Sequence, residues 1–156
     1  MNNDAPYSGR FAGPEHRFAV RVYFEDTDAG GVVYHASYLR FMERARSDVM
    51  RLCGIDQQAV MAAGDGVYVV RDLHIRYRAA AKLDDDLLVC SRMHEIGGAS
   101  MLIHQRVMRG DQLIAQADVS VAFVGPDGRP RRQPRDWVDK FKAIQSSIEM
   151  GADETA

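Results

Sequence analysis

The stretch that decides the fold is residues 23–46, which read YFEDTDAGGVVYHASYLRFMERAR. It starts at the end of a run of alternating apolar and polar residues, continues through two aspartates, Asp26 and Asp28, and reaches Gly30 and Gly31. Paired glycines adopt backbone angles that other residues resist, so a turn is expected there. Apolar residues then recur at steps of three and four, which is typical of one face of a helix. The stretch predicts a strand, a turn that carries a carboxylate, and the start of a long helix.

The helix predicted after this turn ends at Gly54, a residue type that favours helix C-termini. Its apolar stripe consists of Tyr38, Met42, Ala45, Val49 and Leu52. Leu39 and Phe41 lie off that stripe, and apolar residues on several sides predict a helix that is enclosed by a sheet. The wetter side is expected to form ion pairs between residues three or four apart. Its charged residues are Arg40, Glu43, Arg44, Arg46 and Asp48.

Alternation of apolar and polar residues predicts one strand before the long helix and four strands after it. The first strand covers residues 17–25, and the later runs are 67–78, 87–96, 101–109 and 113–123. Gly97 and Gly98 predict a hairpin turn between two of these runs. Short helices are predicted at 57–63 and 137–144. One strand, a long helix and a four-stranded meander predict an α+β fold with the helix in the concave face of a curled sheet.

A chain of 156 residues has room for one domain. We expect a flexible N-terminal arm at residues 1–15, because that segment shows no periodicity and contains several prolines and glycines. The single folded domain is expected at 16–145, and a disordered tail at 146–156.

Composition limits the expected partners and compartment. The chain has 20 Lys and Arg against 22 Asp and Glu, a net charge of −2, so no global basic bias favours nucleic acid. The N-terminus lacks the features of a secretory signal and no segment is long enough to span a bilayer, so we expect a cytoplasmic protein without membrane insertion. Cys53 and Cys90 lack metal-ligand spacing and are expected to be small buried residues without a disulfide.

Asp28 and the start of the helix together supply what acyl hydrolysis needs. A carboxylate can activate water or attack the carbonyl, and hydrogen-bond donors must stabilise the oxyanion that develops. The first turn of a helix leaves backbone N–H groups without internal partners, so the amides of residues 34–37 are candidate donors. Thioesters suit such a small set of groups, because a thiolate leaves readily. The alternative is that Asp28 is only a turn residue or a helix cap.

The segment at residues 28–38, DAGGVVYHASY, resembles the active-site signature of the 4-hydroxybenzoyl-CoA thioesterase family of hotdog-fold proteins. With its flanks at 23–27 and 41–46, it is most similar to the YbgC-type branch, bacterial acyl-CoA thioesterases encoded with the Tol-Pal envelope system. Over residues 17–142 the resemblance implies a hotdog fold, in which a five-stranded antiparallel sheet wraps round a long central helix. It also implies an acyl-CoA thioester hydrolase that forms a homodimer or homotetramer, with the active site at the subunit interface.

Carried over residue by residue, the resemblance implies that Asp28 is the catalytic aspartate and His35 the histidine typical of this branch. The backbone N–H of Tyr34 or His35 is then the oxyanion donor. The imidazole of His35 is suited to proton transfer near neutral pH, and its alternative is a capping or interior histidine. No cofactor is expected, and no metal, because Asp26, Asp28 and His35 lack a further ligand.

The expected substrate is acyl-CoA, with acyl carrier protein as the alternative carrier. Two other functions stay open: a hotdog module that binds acyl-CoA or acyl carrier protein without turnover, and a hydratase on the same fold.

The substrate pocket has no signature that transfers from the family. Weaker candidates for substrate binding are Tyr38, Ser100, Arg131 and Arg132. Ser100 opens a strand after a glycine pair, and the two arginines belong to the denser of two basic clusters, where a guanidinium could hold the phosphates of coenzyme A. Other charged residues are expected to lie outside the chemistry: Asp26 as a solvated or hydrogen-bonding residue, Glu43 as an ion-pair partner, and His74, His94 and His104 as structural or surface residues.

Overall fold

This computed structural model describes residues 2–147 of the chain, which contain six strands and three α-helices. The strands are β1 (Arg10–Ala12), β2 (Glu15–Arg21), β3 (Val67–Tyr77), β4 (Asp86–Ile96), β5 (Ser100–Arg109) and β6 (Gln112–Val124). The helices are α1 (Ser37–Leu52), α2 (Gln57–Ala62) and α3 (Arg135–Gln145). None of these helices is long and apolar enough to cross a membrane.

The strands form one antiparallel sheet in the order β1-β2-β4-β5-β6-β3. The prediction of an α+β fold with an antiparallel sheet and a long helix is confirmed, with six strands instead of five. The predicted four-stranded meander is wrong for β3, which pairs with β6 instead of β4. The reason is the path of the chain: α1 and α2 carry it across the sheet from β2 to the far edge, where β6 is the available neighbour.

The N-terminal part of the fold differs from the prediction in two ways. β2 ends at Arg21, and a 3₁₀ turn follows at Phe24–Asp26, because the Asp26 carboxylate accepts the Tyr23 N–H (2.9 Å) and bends the chain. The arm predicted to be flexible contains β1, which pairs with β2 and places Phe11 opposite His16. The arm prediction is therefore wrong for the strand residues. Residues 148–156 of the predicted tail lie outside the described residues.

The core lies between α1 and the concave face of the sheet. Phe41, Met42 and Ala45 of α1 are buried, and they belong to one cluster with Val89 and Val119 from the sheet. Burial of such side chains stabilises the fold by about 25 cal/mol for each Å² of apolar surface removed from water. The predicted stripe is wrong at its C-terminal end, because Leu52 is 41% exposed.

A row of three buried polar residues crosses this apolar face. It consists of His16 on β2, Ser91 on β4 and Gln105 on β5, each directly opposite the next across the strands. We call these three residues the polar row. The Gln105 side-chain amide donates to Ser91 Oγ (2.9 Å) and to the carbonyl of Met42 on α1 (3.0 Å). The row therefore ties two strands to the helix.

Two charged residues of α1 complete the polar row from above. Arg46 donates to Gln105 Oε1 (2.8 Å), and Asp48 Oδ2 lies 2.7 Å from His16 Nε2. Asp48 also accepts the N–H of Gly9 (2.9 Å). The prediction that both residues lie on the solvent-exposed side of the helix is wrong, because both side chains bind buried partners on the sheet.

Glu15 is a second buried charge, at the start of β2. Its carboxylate accepts from Arg17 (2.7 Å), Arg92 (3.3 Å) and Arg106 (2.8 Å), which lie on β2, β4 and β5. Burial alone would raise the pKa of Glu15, but the three guanidinium groups outweigh it and hold that pKa below its ordinary value. The charge of Glu15 thus stabilises the contact between three strands.

Replacement of Glu15 by Gln is expected to lower the free energy of unfolding by about 1 to 3 kcal/mol at neutral pH, because three guanidinium groups lose their common partner. Since the pKa of Glu15 is depressed in the folded state, its contribution is present above pH 4.5 and is lost as the pH falls below that value. Urea unfolding of both proteins from pH 7 to pH 3 measures this. The exposed Glu95→Gln variant is the control, and equal stabilities of E15Q and wild type at pH 7 would contradict the role of Glu15.

Candidate functional site

Asp28 lies in a tight turn between the 3₁₀ turn and α1. Its backbone N–H donates to the carbonyl of Val32 (2.8 Å), and its Oδ1 accepts from the N–H groups of Gly30 (2.8 Å) and Val32 (3.4 Å). Gly31 has a φ of +81°, a left-handed conformation that glycine adopts at no steric cost. Among residues 2–147, Oδ2 of Asp28 accepts no hydrogen bond. The turn fixes the carboxylate by one oxygen and leaves the other open to solvent.

The two residues that precede α1 each have a backbone donor without an acceptor. Ala36 occupies the N-cap position and offers no side-chain hydrogen bond. The N–H groups of His35 and Ala36 have no acceptor in the described part of the chain. The prediction that Tyr34 supplies a donor is wrong, because its N–H already donates to the carbonyl of Asp26 (2.9 Å). The free donors are therefore those of His35 and Ala36.

Tyr77, the last residue of β3, fixes the direction of one of these donors. Its hydroxyl donates to the carbonyl of His35 (2.8 Å). That carbonyl and the N–H of Ala36 belong to one planar peptide unit, so the contact also orients the Ala36 N–H. Burial raises the pKa of Tyr77, which keeps the hydroxyl protonated. No pattern along the chain predicted this contact, because Tyr77 lies 42 residues from His35.

The imidazole of His35 is exposed beside the same turn. Its ring lies 4.4 Å from the Tyr34 ring and 6.4 Å from the Tyr77 ring, measured between centroids. No hydrogen bond joins it to Asp28 within residues 2–147. A backbone bridge between Thr27 and Val33 brings the Asp28 turn alongside the segment that leads to His35. The structure thus gathers the carboxylate and the free amides at one end of α1.

Of the weaker candidates for substrate binding, Tyr38 and Arg131 have side chains that are engaged in contacts within the chain. Tyr38 is only 3% exposed, and its hydroxyl accepts the N–H of Ala81 (3.3 Å), so the side chain belongs to the core. Arg131 donates to the carbonyls of Gly64 (3.2 Å) and Asp65 (2.9 Å) and holds the loop after α2. The prediction that these two side chains bind substrate is therefore corrected.

Ser100 and Arg132 lie at the other end of the sheet. Ser100 opens β5 opposite Ala122, which in turn lies opposite Val69 on β3. Tyr77 is eight residues further along β3, a distance of roughly 26 Å at the usual rise of a strand. Arg132 is exposed. Within one chain, neither residue reaches the Asp28 turn.

The predictions for the other charged residues agree with the structure only in part. Asp26 is a hydrogen-bonding residue, as predicted. Glu43 is exposed and has no ion pair in the described part of the chain, so the predicted pairing is wrong. His104 pairs with Asp118 on the sheet surface, and its ring lies 4.3 Å from that of His94. Within residues 2–147, no group of three or more His, Cys, Asp or Glu side chains is placed to hold a metal ion.

Comparisons with known proteins match most of the chain. The family model described as the thioesterase-like superfamily matches residues 22–145. The acyl-CoA thioesterase YbgC of Haemophilus influenzae is 50% identical over 107 residues, which cover 69% of this chain and 79% of that protein. The acyl-CoA thioester hydrolase YbgC of Escherichia coli is 44% identical over 128 residues, which cover 81% of this chain and 95% of that protein.

A solved structure agrees with these matches. A probable thioesterase from Bartonella henselae superposes with a TM-score of 0.73 at 36% sequence identity. The superposition covers 77% of this chain and 99% of that one.

Proposed function

The chain belongs to the thioesterase-like superfamily, and we propose that it hydrolyses acyl-CoA thioesters to a free acid and coenzyme A with Asp28 as the catalytic carboxylate. The resemblance to YbgC-type thioesterases, inferred from residues 28–38 with their flanks at 23–27 and 41–46, is confirmed by relatives that are 44 and 50% identical. One observation supports the role of Asp28 above all: its Oδ2 is unpaired, and the Thr27–Val33 bridge brings its turn alongside the segment that leads to His35 and Ala36, whose N–H groups have no acceptor in the described residues.

Asp28 can begin the hydrolysis of the thioester in either of two ways. Its free oxygen can take a proton from a water molecule that attacks the thioester carbonyl, or it can attack that carbonyl itself and form an anhydride that water then opens. In both cases the C–S bond breaks and the sulfur leaves as a thiolate that takes up a proton. The backbone bonds to Oδ1 hold the carboxylate in place during the reaction.

The N–H groups of His35 and Ala36 are proposed as the oxyanion donors. They lie where the partial positive charge of the helix dipole is greatest, and no protein acceptor competes for them in the described residues. Tyr77 acts as a positioning residue, because it orients the peptide unit that contains the Ala36 N–H. The imidazole of His35 is proposed to deliver the proton to the leaving sulfur.

A second copy of the chain is proposed to complete the site. In the single chain β3 is an edge strand, and Val69 and Val70 on it are 41 and 50% exposed, which favours pairing with another edge. Two copies paired antiparallel along β3 bring the Ser100 end of one sheet beside the Asp28 turn of the other. Ser100 and Arg132 then become candidate contacts for coenzyme A across the interface. A homodimer is the smallest assembly that does this, and a homotetramer is a pair of such dimers.

Asp28→Asn is expected to lower kcat/KM for acyl-CoA hydrolysis about 10²- to 10⁴-fold, because the amide cannot act as a base or nucleophile. Asn keeps an oxygen in the place of Oδ1, so the hydrogen bonds of the turn are retained and the melting temperature should change little. The measurement is thiol release from short, long and aromatic acyl-CoAs.

Asp26→Asn is the matched control, since its amide oxygen still accepts the Tyr23 N–H. Hydrolysis rates of D28N close to those of wild type would refute the assignment of Asp28 as the catalytic carboxylate. Tight acyl-CoA binding by the wild type without thiol release would favour a binding module, and a product that retains its thioester would favour a hydratase.

Tyr77→Phe is expected to lower kcat about tenfold with little change in KM, because the Ala36 N–H loses its fixed direction while the substrate contacts remain. Tyr7→Phe removes a hydroxyl that accepts the N–H of Ala19 on β2, and serves as the control. A loss shared equally by Y77F and Y7F, or a change in KM alone, would contradict a positioning role.

Val69→Asp is expected to convert the assembly to monomers and to lower kcat/KM at least about tenfold, because a charge on the free edge opposes strand pairing. Light scattering gives the assembly state, and thiol release gives the rate. Met61→Asp places the same charge at an exposed apolar position on α2 and should leave both unchanged. A monomeric V69D protein with full activity would refute the shared site.

A further inference from the structure

A groove of about 520 Å³ runs along the outer side of α1. Its helical wall carries Arg40, Arg44 and Arg51, and its other wall is formed by Tyr7 of the N-terminal arm and Phe18 of β2. Spacings of four and seven residues keep side chains on one side of a helix, so the three guanidinium groups lie in one row. We call these three arginines the basic row. A smaller cavity, of about 110 Å³, lies beneath the C-terminal half of α1, between the helix and the sheet.

The wall opposite the basic row is fixed in place and carries no charge. The Tyr7 ring packs edge-on against the Phe18 ring, with centroids 5.2 Å apart. The arm is held to α1 by the N–H of Gly9, which donates to Asp48 Oδ2 (2.9 Å). Because the arm and β2 contribute only aromatic side chains to the groove, the charge of the groove comes from α1 alone.

The basic row has free hydrogen-bond donors. None of its members forms an ion pair within residues 2–147, so the ion pairs predicted for this side of the helix are absent there. Two carboxylates also line the groove. Asp48 is engaged by His16 and Gly9, and Glu43 is exposed. The groove therefore carries an excess of positive charge, and a guanidinium group can bind a phosphate through two parallel hydrogen bonds.

The basic row runs away from the Asp28 turn at a distance that suits coenzyme A. At the rise of an α-helix, Arg40, Arg44 and Arg51 lie roughly 6, 12 and 22 Å along the axis from Ala36, whose N–H is a proposed oxyanion donor. In coenzyme A about 13 bonds separate the sulfur from the first phosphorus, and an extended chain of that many bonds spans roughly 15 Å. The first phosphate of a thioester held at Ala36 therefore falls between Arg44 and Arg51.

We propose that the basic row binds the phosphate groups of the coenzyme A part of the substrate, with Arg44 and Arg51 as the main contacts. The inference rests on the proposed function, because the Asp28 turn fixes where the thioester lies. The site belongs to the same chain as that turn and needs no second copy, in contrast to the candidate contact of Arg132. Glu43 opposes the same phosphates, because its carboxylate lies in the same groove. The basic row thus selects for the carrier and leaves the acyl group free to vary.

The kinetic test compares one acyl group on coenzyme A and on pantetheine, which lacks the phosphates. Arg44→Ala and Arg51→Ala are each expected to raise KM for the coenzyme A ester about three- to tenfold, because each removes an exposed contact to a phosphate. The kcat should change little, since the row is remote from the reacting atoms. KM for the pantetheine ester should stay as in wild type. Lys142→Ala removes a charge from the exposed side of α3 and is the control.

Glu43→Gln tests the sign of the effect. Removal of a negative charge beside the basic row is expected to lower KM for the coenzyme A ester about twofold and to leave KM for the pantetheine ester unchanged. Added salt should raise KM for the coenzyme A ester more in wild type than in the R44A/R51A double variant, because salt screens exposed charges. A KM that rises in E43Q, or that changes equally for both esters in R44A, would overturn the proposal.

A binding test separates the groove from the catalytic assignment. Free coenzyme A is titrated by calorimetry into wild type, R44A/R51A and R132A, which needs no turnover. If no thioester is hydrolysed, the proposed function fails, whereas weaker binding of coenzyme A to R44A/R51A than to wild type still supports the groove. Equal affinities of wild type and R44A/R51A, with or without a loss in R132A, would overturn the proposal.

Discussion

The packing of α1 against the sheet is the constraint on which the proposed chemistry depends, because the start of this helix has no side-chain cap. Ala36 stands at the N-cap, where a Ser, Thr, Asn or Asp would accept the N–H of Tyr38 or Leu39 and stabilise the helix by about 1 kcal/mol. Burial of Phe41, Met42 and Ala45 against the sheet offsets the missing cap. The N–H groups of His35 and Ala36 lie before the positions that such a cap would serve. Their location is therefore set by the packed helix that follows them.

The polar row determines where that helix lies along the sheet. Apolar contacts alone tolerate sliding, because hydrophobic burial has no direction. Gln105 and Asp48 make hydrogen bonds that have direction, and they exist only when α1 lies at one position over β2, β4 and β5. A shift of one turn would bury these groups without partners, at a cost of about 1 to 3 kcal/mol for each one. The row thus also fixes the distance from the start of α1 to the Tyr77 hydroxyl.

The sequence predicted the local elements well, because periodicity reports which face of each element is buried. The long helix, the Gly97-Gly98 hairpin and the last three strands agree with the prediction to within two residues at their ends. The features that depend on contacts between distant segments of the chain were not predicted. The pairing of β3 with β6, the inward turn of Asp48 and the contact of Tyr77 with His35 each join segments more than 30 residues apart. No spacing along the chain carries that information.

The candidate site likewise has a part that the sequence predicted and a part that it did not. Asp28 and the His35 N–H were predictable because one short segment contains both the carboxylate and the helix start. The cavity between α1 and the sheet was not, because it is lined by residues from all six strands and from α1 and α2, and each of these residues alone is an ordinary residue of its element. The cavity lies against the C-terminal half of α1, whereas the Asp28 turn lies at its start. The proposed antiparallel pairing along β3 would bring the Ser100 end of one sheet beside the Asp28 turn of the other copy. The exposed edge of β3 is therefore the feature on which the proposed shared site depends.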